Sequence, residues 1–136
     1  MTELTELVNM RLMTFGYTVT EQDEQTLNYV TGHAAQYVCN YCNFKHCPDD
    51  IPSSLQYVTA DYAVGEFLQQ KKTFAPADLS NLNLDLAIKQ IQTGDTNTVF
   101  ATGEGSQTDE QKLNTLISYL MTYGKHDMNS HRKVKW

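Results

Sequence analysis

The chain has little of what a membrane span, a polyanion clamp or a disulfide framework requires. No apolar run approaches the roughly 18 residues that cross a bilayer, and the mean hydropathy is −0.47. The opening "MTELTELVNM" has neither a basic n-region nor an apolar h-region. No signal peptide is therefore expected, and the three cysteines are expected to be reduced thiols in a cytoplasm. Lys and Arg number 10 against 16 Asp and Glu, a net charge of −6. DNA binding rests largely on phosphate neutralisation, which this balance does not supply. A GxxxxGK[ST] loop is missing, and Gly103-Glu104-Gly105 lacks the strand and helix that flank a dinucleotide loop. The four histidines, His33, His46, His126 and His131, are scattered and join no nucleophilic constellation. These absences argue against an enzyme and against a cofactor.

What the chain does have is helical periodicity. Leu4, Leu7, Val8, Leu12 and Phe15 recur at steps of three and four, predicting a helix over about 2–15 stopped by Gly16. Thr20 reads as the N-cap of a second helix, with Glu21 and Asp23 in its first turn. Leu27, Val30, Ala34, Tyr37 and Tyr41 mark its face up to "NYCNFKHCPDD". Pro52 opens a third helix reaching about Lys72. That helix is apolar on two sides, which makes it the central one. Gly65 inside it costs about 1 kcal/mol relative to Ala, so a close helix contact is expected there. Asp61 and Glu66 interrupt the apolar stripes but lie five apart and share no face well. A last helix, with Thr108 as its cap, is expected from Asp109 to Tyr123, ended by Gly124.

Between the third and last helices the texture changes. In "IKQIQTGDTNTVFA" Gly94-Asp95 is a turn signal between runs rich in Ile, Thr, Val and Phe. A β-hairpin is predicted over about 86–101, with Gly94, Asp95, Thr96, Val99 and Phe100 as its turn and contact residues. Neither run alternates clearly, and a lone hairpin is marginal in water, so an intersubunit role is expected for it. The fold expected is therefore mainly α: a single domain, 1–124, of four helices with an inserted β-hairpin, followed by an extended basic tail, 125–136. That tail holds Lys125, Arg132, Lys133 and Lys135 against Asp127, a local charge of +3, so residues 1–124 carry −9. Arg132, Lys133, Val134, Lys135 and the single tryptophan, Trp136, read as a partner-binding peptide with an aromatic anchor.

One metal set is conceivable. Cys39, Cys42, His46 and Cys47 offer three thiolates and an imidazole, a tetrahedral zinc complement. There is no second CxxC, and Cys42 falls near the apolar stripe of a helix, where a cysteine behaves as a small hydrophobe. Thiols without metal are expected instead.

The order and texture of "AAQYVCNYCN", "PDDIPSSL", "VTADYAVGEFLQQKK", "IKQIQTGDTNTVFA" and "LNTLISYLMTYGKHDMNSHRKVKW" resemble the head–tail connector (adaptor) proteins of tailed phages that infect Gram-positive bacteria. The likeness spans roughly residues 20–136, and "GDT" and the closing "HRKVKW" carry it most specifically. The "FKHC" stretch departs from the family texture. The resemblance implies a virion structural protein of the head–tail neck, present in host cytoplasm during assembly. It implies a dodecameric homo-oligomeric ring bound to the portal, with a stopper or tail-completion protein below and DNA passing through the lumen without specific binding. The alternative from another class is a small cytoplasmic regulatory or zinc-binding helical protein.

Overall fold

In the computed structural model the described residues are 2–47, 51–75, 77, 79, 82–84 and 109–131. They form α1 (Thr2–Thr14), α2 (Glu21–Cys42), α3 (Ser53–Phe74), α4 (Asp109–Thr122) and α5 (Lys125–His131). Each of the expected helices is present within two residues of its predicted ends. Gly16 has φ 87° and carries the left-handed turn that ends α1. Thr20 caps α2 in a capping box with Asp23, so two backbone donors of the first turn are satisfied reciprocally. Asn43, also left-handed with φ 60°, closes α2.

The expected central helix is central: α3 packs against α1, α2 and α4. One apolar cluster joins Val8, Leu12 and Phe15 of α1, Leu27 and Val30 of α2, Phe67 of α3 and Leu116 of α4, with further buried neighbours. A second gathers Leu4, Val38, Cys42, Leu55 and Val58 around Met128 of α5. Burying each such side chain contributes about 1.5–3 kcal/mol, which outweighs the weak intrinsic preference of the β-branched residues for helix. Gly65 marks the closest approach of α3 and α4. A methyl group there would stand 2.6 Å from Met121 Cγ and 3.4 Å from the Ile117 carbonyl oxygen. The cost of glycine in a helix is offset by that proximity.

Two expectations are corrected. The described residues are helical and contain no strand, so a β-hairpin is not part of the fold; the stretch 86–101, with Gly94, Asp95, Thr96, Val99 and Phe100, lies outside the described residues. The physical weakness was visible in the sequence, since runs without alternation give a sheet no face to bury. The extended tail is corrected as well. Residues 125–131 form α5, whose Met128 is buried against α2. Seven residues cannot hold a helix alone, and here the support is tertiary. The Cys42 thiol donates to the Met128 carbonyl at 3.4 Å and the Tyr41 hydroxyl to Asn129 Oδ1 at 2.5 Å. Among the described residues, no helix is long and apolar enough to cross a membrane.

Candidate functional site

The cysteine segment does not assemble a ligand set. Left-handed Asn43 turns the chain back on itself, so Cys47 returns to Cys39 with 6.0 Å between Cα atoms, and the two are joined as a disulfide. This corrects the expectation of three reduced thiols. Cys42 points the other way, into the second cluster, as its place on the apolar stripe implied. Among the described residues no three His, Cys, Asp or Glu side chains stand close enough to share a metal ion, and His46 is grouped with none.

Asp61 and Glu66 separate as their spacing implied. Glu66 meets His33 Nδ1 at 2.9 Å on the α2–α3 surface. Asp61, a residue for which solvent or a neighbouring molecule was the expectation, is instead buried, with 8% of its surface exposed. Its Oδ1 stands 3.1 Å from Arg11 Nε of α1. Its Oδ2 accepts a hydrogen bond from the Tyr123 hydroxyl at 2.6 Å, from the turn after α4. Burial raises the Asp61 carboxyl above its usual value, and the opposing pull of Arg11 and of the Tyr123 hydrogen bond does not cancel it. Burial also raises the Tyr123 phenol, and the charge and hydrogen bond of Asp61 add to this. Tyr123 is therefore a fixed donor across the working pH range. The Arg11 guanidinium in turn lies over the Phe15 ring, 5.0 Å from its centroid.

This cluster closes the floor of a groove of about 320 Å³ between α1 and α3, walled by Leu7, Met10, Tyr57 and Ala60. Its rim is apolar and open to solvent: Met10 is 61% exposed and Tyr57 65%. Met13, one helical turn beyond Met10, is 69% exposed. On the other side of Met13 a shallower hollow of about 410 Å³, lined by Tyr17 and Val19 among others, has no charged side chain. Only the first groove combines apolar walls with a buried charge pair, the composition of a site that fixes both the position and the orientation of an occupant. Flexible methionines at its edge suit a protein surface that adapts to a side chain.

Sequence reasoning missed this site because its members are far apart in the chain. Arg11, Asp61 and Tyr123 come from three elements, and only the isolated arginine in the otherwise uncharged stretch from Leu7 to Tyr17 hinted that a carboxylate would face it. The partner-binding residues Arg132, Lys133, Val134, Lys135 and Trp136 lie outside the described residues.

No family model matches the chain, and no curated protein and no solved structure matches it either.

Proposed function

We propose that the chain is a virion structural protein, a head–tail connector that forms a homo-oligomeric ring beneath a portal, links capsid to tail and lets DNA pass. It acts by binding proteins and catalyses no reaction. The observation that carries this reading is the α1–α3 groove, where two methionines and a tyrosine stand exposed around a buried ion pair. Such a surface on a 136-residue chain suits a protein partner, because aromatic and methionine side chains are enriched at interfaces. Charge supports the same reading. A body with −9 in residues 1–124, arranged around a channel, repels phosphate and lets a genome slide through without sticking. The dodecameric ring, the portal and the stopper or tail-completion protein are carried by the resemblance of the sequence to the connector family.

The test is mass photometry of the full-length chain mixed with isolated portal. A portal complex that gains a discrete ring of copies supports the reading. A chain that stays unbound at saturating concentration contradicts it, and so does one that binds as a single copy.

A further inference from the structure

We propose that residues 132–136 of one copy dock into the α1–α3 groove of the adjacent copy, with Trp136 seated between Met10 and Tyr57. The inference rests on the ring reading and names the contact that closes the ring.

Size selects the occupant. At about 320 Å³ the groove is at the small end of ligand pockets. It takes one large side chain and its immediate neighbours, not a whole helix. Trp136 is the chain's single tryptophan, and tryptophan leads the residues whose burial dominates interfaces. Charge selects it again. The segment carries Arg132, Lys133 and Lys135 with no acidic residue. Glu6 is exposed on α1 one turn before Met10, at the mouth of the groove, and Asp61 lies at its floor. Val134 supplies a further apolar contact between the cations.

Length places the donor close by. The five residues beyond His131, where α5 ends, reach at most about 17 Å when extended, so the donor must already touch the acceptor. A closed ring requires this kind of pairing, in which one patch meets a different patch on the next subunit. The segment and the groove are two such patches on one chain. Repeated around a ring, a modest contact gains strength by avidity.

The experiment uses the tryptophan as its own reporter. Full-length Trp136→Ala protein is titrated with the synthetic peptide HRKVKW, whose indole is then the sole tryptophan in the tube. Docking gives a saturable blue shift of the emission. Met10→Lys, introduced into the same background, repels the peptide and removes one wall. It is expected to weaken binding at least about tenfold, an amount well below what loss of an anchor residue can cost. Met10 is exposed, so unchanged circular dichroism will show that the variant folds. No blue shift at millimolar peptide overturns the proposal, as does equal binding to the Met10→Lys protein. The wild-type chain then identifies the donor. An emission that shifts blue as concentration rises, together with an increasing sedimentation coefficient, supports docking between copies. A blue emission independent of concentration means that the groove holds its own chain's segment, which also overturns it. If the peptide fails to bind while the full chain still forms rings on portal, the inference fails and the connector reading stands.

Discussion

Asp23 and Asp61 are both buried carboxylates, each facing a cation, a tyrosine hydroxyl and a phenylalanine, yet their protonation shifts in opposite directions. Asp23, 2% exposed, has Lys71 Nζ at 2.7 Å and accepts from the Tyr17 hydroxyl at 2.7 Å. The Lys71 ammonium lies 5.7 Å from the centre of the Phe67 ring. Asp61 has Arg11, Tyr123 and Phe15 in the same roles. Burial alone would raise the Asp23 carboxyl, but Lys71, Tyr17 and the backbone and side chain of Thr20 outweigh it and hold the carboxyl below its usual value. At Asp61 burial wins. The difference is helix position. Asp23 stands in the first turn of α2, where unpaired backbone N–H groups and the positive end of the dipole favour a charge, and the Thr20 N–H reaches it at 3.2 Å. Asp61 stands in the middle of α3, where every backbone donor is spent on the helix. A closed, fully satisfied carboxylate staples α2 to α3. A carboxylate short of donors beside an open groove keeps capacity for an incoming partner.

The largest effect that sharpens this contrast is expected from Asp23→Ala. It leaves Lys71 buried without its partner, and removing one member of a buried pair costs about 3–5 kcal/mol. Urea unfolding followed by circular dichroism measures it. A loss under about 1 kcal/mol would mean that the Asp23 cluster behaves like a surface pair. Next comes Gly65→Val, which drives α4 away from α3 and carries Tyr123 from Asp61 while leaving Asp23 untouched. Overpacking of this kind costs about 1–3 kcal/mol. The check is thermal unfolding together with the ultraviolet spectrum of the tyrosines.

Smaller still is the difference between the two hydroxyl deletions. Tyr17→Phe removes a donor to a charged group in a closed site and is expected to cost about 2 kcal/mol. Tyr123→Phe is expected to cost about 1 kcal/mol or less, because water entering the groove replaces the donor. Equal losses would erase the distinction between the closed and the open site.

The smallest effect has the clearest sign. The folded state lowers the Asp23 carboxyl below 3.8, so its contribution is present above that pH and disappears as pH falls through the folded value. The folded state raises the Asp61 carboxyl above 3.8, so the protonated form is favoured in the fold and stability is lost as pH rises through the folded value. Relative to wild type, Asp23→Asn should be most destabilised at neutral pH and match it in acid. Asp61→Asn should compare best with wild type at neutral pH. Melting temperatures between pH 3 and 7 check both, and parallel curves would contradict the assignment.

The same contrast explains what could be read in the sequence. Asp23 was legible as part of a helix start, because Thr20 and Asp23 are neighbours in the chain and their chemistry is local. The ends of α1 to α4 were legible for the same reason, from Gly16, Pro52 and Gly124. Gly65 was legible as a contact because glycine costs a helix something that only proximity repays. Arg11, Asp61 and Tyr123 were not, since nothing local says which distant residue a lone charge will meet. Helix α5 was missed because a single apolar residue, Met128, makes no stripe. The disulfide was missed because the return of Cys47 to Cys39 depends on the left-handed turn at Asn43. The hairpin was inferred from a turn signal alone, without the alternation that would give it a place in the core.

The most direct measurement of the account is sedimentation of tailless, portal-bearing heads with the full-length chain, with Met10→Lys and with a chain lacking residues 132–136. The account predicts that wild type co-sediments as a ring of copies on each head, while both altered chains keep their melting temperature and stay in the supernatant. Wild type that fails to co-sediment at saturating concentration would contradict it.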